Sequence, residues 1–187
     1  STLSRWYDSL ATLPNWHQPT LKLYGRSIVQ QRPIAAFSKV PDLKLRYSGQ
    51  EARMDPWPPV LEEMEDLVRD KVGREVRFNH AFLNLYEDGK VNIGKHSDNL
   101  ENRVIVTLSL GAPRKWIMTR RHPPGAMAAA KRSGTKLPAP EVRSWTLENG
   151  SLLVMQGDVQ KEWYHEVPKE GRIKEGRISV TFRQLVY

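Results

Sequence analysis

The chain reads as a mainly β fold with flanking helices, of the α+β class, built as a β-sandwich or jelly roll. Two observations lead there. After Gly73 the hydrophobic pattern breaks into short alternating runs at 81–86, 103–110, 115–119, 151–156 and 177–186, separated by Gly, Pro, Asn and Asp. Evenly spaced short strands of this kind build two-layered sheets. Ahead of them, Val60, Leu61, Met64, Leu67 and Val68 recur at helical spacing between Pro58-Pro59 and Gly73. That is one amphipathic helix with a start and a stop signal, suited to packing on a sheet.

The stretch before Pro58 holds only a short helical pattern at 3–13 amid turn formers, and it reads as a cover, not a core. Residues 119–140, rich in Pro, Gly, Ala, Lys and Arg, read as one long loop. Loops of that length are usually functional or disordered. At 187 residues the chain suits a single domain over 1–187. Within it, 1–75 form an N-terminal extension and 76–187 the β core.

Composition excludes several classes. No apolar run approaches the roughly 20 residues that cross a bilayer, so no membrane partner is expected. With no cysteine there is no disulfide frame and no thiolate metal site. Any metal must be held by His, Asp or Glu. Lys plus Arg number 29 against 21 acids, and residues 114–143 alone carry eight bases against Glu141. That segment is either a surface for phosphate backbones or a loop kept polar for solubility.

Three places could carry chemistry. His96 and Asp98 stand at i and i+2, on one face of an extended backbone, and a second imidazole follows at His165. Two His and one carboxylate leave open positions on a metal, as a non-haem Fe(II) centre requires. In the last strand Arg177, Ser179, Thr181 and Arg183 alternate with Ile178, Val180 and Phe182, so both arginines share a polar face. Arginine forks grip carboxylates bidentately, and two from one strand could hold a short dicarboxylate. Such a face also suits an exposed strand. Asn84 and Tyr86, again at i and i+2, could lend an amide and a phenol to the same acid, or belong to a turn and a core.

These pieces, in order, resemble the AlkB family. The resemblance spans about residues 21–187 and rests on six segments. They are Asn84-x-Tyr86-x-Asp88-Gly89, Ile93-Gly94-x-His96-x-Asp98, Ser109-Leu110-Gly111, Gly150-Ser151-Leu152-Leu153-Val154-Met155, Trp163-x-His165-x-Val167-Pro168 and the run from Arg177 to Arg183. The interval from His165 to Arg177 is similar to that of the nucleic-acid-repair branch containing AlkB homologues 2 and 3.

The resemblance implies a double-stranded β-helix with an N-terminal nucleotide-recognition cover. It implies Fe(II) on His96, Asp98 and His165, and 2-oxoglutarate on Asn84, Tyr86, Arg177, Thr181 and Arg183, with Arg177 on the distal carboxylate. With O2, the family's chemistry decarboxylates the acid to succinate and CO2 and hydroxylates an N-alkyl group, which leaves as formaldehyde. The implied function is dealkylation of bases such as 1-methyladenine or 3-methylcytosine, with DNA favoured over RNA. Tyr47 and Ser48 in the cover, Arg32 and the basic segment are the candidate substrate contacts, with Tyr47 stacking on an extruded base opposite His96. Repair members often carry an acidic residue directly after the metal Asp, whereas this chain reads Asp98-Asn99-Leu100-Glu101. Glu101 either takes that role or pairs with Arg103.

The alternatives are an RNA demethylase of the same mechanism, a dioxygenase acting on a protein or small molecule, and a non-catalytic nucleic-acid-binding module. A monomer is expected, in an intracellular compartment, nuclear if the source is eukaryotic.

Overall fold

The structure, a computed structural model, describes the chain apart from residues 24, 25, 42, 44, 45, 48, 49, 52, 99–101, 186 and 187. In chain order its elements are α1 (Thr2–Ala11), β1 (Thr20–Leu23), β2 (Arg26–Val29), β3 (Ile34–Ser38), β4 (Arg46–Tyr47), β5 (Gln50–Glu51), β6 (Asp55–Pro56), α2 (Pro59–Val72), β7 (His80–Tyr86), β8 (Ile93–His96) and β9 (Asn102–Gly111). They continue as β10 (Arg114–Arg120), α3 (Ala126–Ser133), β11 (Val142–Leu147), β12 (Leu152–Gln156), α4 (Val159–Glu162), β13 (Trp163–Val167) and β14 (Arg177–Leu185).

Two sheets form the body. The larger runs β12-β9-β14-β7-β3-β6 and the smaller β11-β10-β13-β8. Pairings between neighbours are antiparallel except β3 with β6. This is the jelly-roll arrangement expected. Its strands overlap the five sequence runs, because alternation on a pleated backbone sends one set of side chains to each face.

The larger sheet separates two environments. On one face Ile178, Val180 and Phe182 of β14 join Val106, Leu108 and Leu110 of β9 and Ala81 and Leu83 of β7, all at most 1% exposed. They pack with Trp6 and Leu10 of α1 and with Leu61, Met64 and Val68 of α2. The other face looks toward the smaller sheet, where Tyr86, Ile105, Trp116, Met155 and Val167 form a second cluster. Phe182 sits in tilted contact with Phe78 and Trp57, at ring distances of 5.5 and 6.0 Å.

Two sequence expectations need correction. The N-terminal stretch is more than a cover, since α1 supplies Trp6 and Leu10 to the core, and β3 joins the larger sheet with Ile34, Ala35, Ala36 and Phe37 at 2% exposure or less. Four adjacent buried positions show no alternation, so periodicity missed a strand buried on both faces. The 119–140 segment is not one loop either. It continues β10 to Arg120 and contains α3, whose Ala-rich run favours helix. Gly134 ends that helix at φ +70°, in the left-handed region.

Candidate active site

A cavity of about 490 Å³ opens between the two sheets. Its wall includes Asn84, Tyr86, His96, Asp98, His165, Arg177, Thr181 and Arg183, all of the residues expected for metal and co-substrate. Strand register brings them together. In β14, Arg177 pairs across to Tyr86, Ser179 to Asn84 and Thr181 to Phe82 on β7, while on the other side they face Gly111, Ser109 and Thr107 of β9. His165 of β13 stands directly opposite His96 of β8.

At one end of the cavity the two imidazoles lie edge to face with ring centres 4.3 Å apart. His165 is 3% exposed and stacked on Trp116 at 4.6 Å. Its Nε2 lies 3.5 Å from Asp98 Oδ2. His96 Nδ1 lies 2.8 Å from the Gly94 carbonyl oxygen. A carbonyl can only accept, so Nδ1 carries the proton and Nε2 keeps its lone pair in the neutral ring.

Asp98 is held from two directions. Arg183 donates to its Oδ1 at 2.5 Å, and its backbone N–H donates to Gln160 Oε1 at 2.8 Å. Burial would raise the Asp98 carboxyl, but Arg183 first, then His165 and His96, outweigh it and hold it below the ordinary carboxylate range. Burial pushes His165 down to about 4, assisted by His96 and opposed by Asp98. Near neutral pH the group therefore presents an ionised carboxylate and a neutral imidazole, the protonation states a metal ion needs.

Arg177 lies at the other end. It is 1% exposed, and one terminal nitrogen donates to Ser109 Oγ at 2.9 Å. Its Nε and other terminal nitrogen are buried with no hydrogen-bond partner among the described residues. Burial draws its pKa down, yet a guanidinium remains a cation. Thr181 and Thr107 share a hydrogen bond at 3.1 Å, and Asn84 Oδ1 accepts from Arg32 Nε at 2.7 Å.

The substrate expectations fare differently. Arg32, expected on a phosphate, is 5% exposed and lines the cavity, donating also to the Asn92 carbonyl at 2.9 Å. The following Pro33 and β3 carry it inward. The basic segment is divided as well. Arg114 is 1% exposed and leaves the surface altogether. Arg120 and Arg143 share Glu141, at 3.6 and 2.6 Å, whereas Lys131, Arg132 and Lys136 are exposed. Ser48, Glu101 and the side chain of Tyr47 lie outside the described residues.

Sequence reasoning missed Gln160 and Ser109. Ser109 had a signal, because it shares a strand face with Thr107 and Ile105 and pairs with Ser179. Gln160, a polar residue on the short α4, had none.

The donor set fits the metal its chemistry suggests. Two adjacent ligands each about 2.1 Å from one ion lie roughly 3 Å apart, near the 3.5 Å between His165 Nε2 and Asp98 Oδ2. Among the described residues no group of three His, Asp or Glu is already placed to hold an ion, and the Asp98 carboxylate is paired with Arg183. Arg177, with two buried donors unmatched, fits a carboxylate.

A pair of sheets, a two-His and one-Asp cluster and a buried arginine across one cavity define a non-haem iron oxygenase scaffold. The chain belongs to the 2OG-Fe(II) oxygenase superfamily, whose pattern matches residues 1–183. That membership brings Fe(II), 2-oxoglutarate and O2.

Within the superfamily the chain's similarity runs to the ALKBH2 and ALKBH3 branch of the AlkB family. It is 30% identical to the DNA oxidative demethylase ALKBH2 of Arabidopsis thaliana, over 95% of this chain and 60% of that protein. With the alpha-ketoglutarate-dependent dioxygenase alkB homolog 3 of Homo sapiens it shares 31% identity over 90% of this chain and 56% of that one. The chain thus spans little more than half the length of these curated relatives. Among solved structures, a prolyl hydroxylase of Trichoplax adhaerens matches 98% of this chain and 76% of its own, with a TM-score of 0.54 and 13% identity. A 2OG-Fe(II) oxygenase family oxidoreductase of Burkholderia pseudomallei matches 97% and 77%, with a TM-score of 0.51 and 16% identity. At those identities they speak for the fold alone.

Proposed function

We propose that this protein removes alkyl groups from nucleobases in DNA by oxidation, with 2-oxoglutarate as co-substrate. The observation that carries the co-substrate half is Arg177, a buried cation with two unmatched donors, in the same cavity as His96, Asp98 and His165. The relatives' names carry the choice of DNA, and the exposed bases Lys131, Arg132 and Lys136 provide charge for a phosphate backbone.

His96, Asp98 and His165 would hold Fe(II). Bound there with 2-oxoglutarate and O2, iron supplies the oxidising power that converts the acid to succinate and CO2 and hydroxylates an N-alkyl carbon. The rest of the chain binds and orients. Arg177 takes the distal carboxylate with Ser109 behind it, and Tyr86, Asn84 and Thr181 shape the path between the arginine and the metal. Arg183 keeps the Asp98 carboxylate ionised and aimed. Arg183 Nε, buried without a hydrogen-bond partner among the described residues, remains to serve the acid. Trp116 fixes the His165 plane by stacking, and the Gly94 carbonyl fixes the His96 tautomer.

The test offers the purified protein 1-methyladenine or 3-methylcytosine in single- and double-stranded DNA and in RNA, with Fe(II), ascorbate and 2-oxoglutarate. Formaldehyde and succinate released in step, and lost in His96→Ala and Arg177→Ala, are the expected result. Succinate without formaldehyde from any oligonucleotide would leave the co-substrate assignment standing and overturn the nucleic-acid one.

A further inference from the structure

Arg114 begins the basic segment of the sequence, yet its guanidinium is 1% exposed and donates to four acceptors. Nε reaches Glu170 Oε2 at 3.2 Å, one terminal nitrogen the Asp88 carbonyl at 3.1 Å, and the other the carbonyls of Val91 and Pro168 at 2.9 and 2.7 Å. Glu170 Oε2 also accepts from the backbone N–H of Lys115 at 2.8 Å, closing the clamp. One side chain so ties the 87–92 connection, which leads to His96, to the turn that follows His165.

The same guanidinium stands 5.3 Å from the centre of the Tyr86 ring, and Arg177 stands 5.1 Å from it. Tyr86 is 2% exposed and lines the cavity, whereas Arg114 does not. With Arg32 at 5.9 Å as a third, cations held against one ring restrict where that ring can go. Arg177 is hydrogen-bonded to Ser109 and held against Tyr86, so the ring's position helps set the position of Arg177.

We infer that Arg114 is a positioning residue for the co-substrate, holding Tyr86, and through it the Arg177 guanidinium, where a carboxylate of a short dicarboxylic acid is received. This rests on the co-substrate reading above. It removes Arg114 from any role on the nucleic-acid backbone. Lysine does not substitute, because an ammonium cannot span Glu170 and three carbonyls in one plane.

The experiment titrates 2-oxoglutarate into Mn(II)-loaded protein by calorimetry, for wild type, Arg114→Lys, Tyr86→Phe and the double variant, with a methylated single-stranded oligonucleotide titrated in parallel. Arg114→Lys is expected to weaken 2-oxoglutarate about ten-fold while oligonucleotide affinity and its salt slope stay as in wild type. The Arg114 and Tyr86 effects should combine to less than their sum. Should Arg114→Lys fail to fold, Glu170→Ala, on a side chain 27% exposed, takes only the carboxylate side of the clamp and should weaken 2-oxoglutarate about three-fold. Unchanged 2-oxoglutarate affinity with a lowered melting temperature would overturn the inference, as would an oligonucleotide affinity that falls alone. A wild-type protein that binds no 2-oxoglutarate, and consumes none, would overturn the co-substrate reading and this inference together. Arg177→Lys failing to bind beside a fully binding Arg114→Lys would overturn this inference only.

Discussion

Replacing Arg177 by methionine should make the ligand-free protein more stable and deaf to its co-substrate. The wild-type guanidinium is buried, finds no carboxylate among the described residues, and leaves Nε and one terminal nitrogen without partners. Each orphaned buried donor costs about 1 kcal/mol or more, and removing both outweighs the loss of one bond to Ser109, itself worth about 1 kcal/mol. The net gain is about 1–2 kcal/mol, helped by apolar packing in place of a buried charge. For a domain of this size about 1 kcal/mol moves the melting temperature by roughly 2–4 °C, so the variant should melt about 2–8 °C higher. A ligand at a hundred times its Kd stabilises the protein that binds it by about 2.7 kcal/mol. Thermal shift with and without 2-oxoglutarate should therefore show the two proteins exchanging rank: the variant higher alone, the wild type rising past it or level with it when the acid is added. A variant that melts below wild type without ligand, or that 2-oxoglutarate still stabilises, would refute the argument.

Three further outcomes follow from the same geometry. His80, 1% exposed with its pKa pushed to about 3 by burial and then by Arg183, stays neutral in the folded state while the unfolded chain takes up a proton below about 6.5. Stability should hence fall as pH drops from 6.5 toward 3, by up to about 1.4 kcal/mol per unit from this group, and denaturant titrations of His80→Phe should show a shallower fall. Gln160→Ala frees the Asp98 backbone and should weaken metal binding about ten-fold, read by Mn(II) titration, with little change in helical or sheet content by circular dichroism. Gly111→Ala puts a Cβ 2.4 Å from the Gly176 carbonyl oxygen at φ +89°; loss of more than about 2 kcal/mol in urea unfolding is the expected result, and a neutral substitution would contradict the packing there.

What sequence alone could deliver followed from periodicity. The β14 alternation told that Arg177, Ser179, Thr181 and Arg183 share one face, and the structure turns that face to the cavity. It did not tell that both faces are buried, because a polar row suits solvent as well as a lined cavity. Arg114 was misjudged through local charge, although its parity with Trp116 and Met118 on one strand pointed inward. The β3 run escaped because four adjacent buried residues carry no period. The Arg183 to Asp98 pairing joins residues 85 positions apart, and no local pattern encodes such a contact.

The antiparallel pairing of β14 on both edges has a consequence for how this protein can change. Removing a single residue from the strand would swing its arginines in among Phe78, Leu108 and Met64, and turn Ile178, Val180 and Phe182 toward the cavity. The strand is thus intolerant of any shift in phase, whereas α3, which buries no residue, lies in a segment where added residues disturb neither sheet. β14 itself accepts only exchanges that keep its two rows apart.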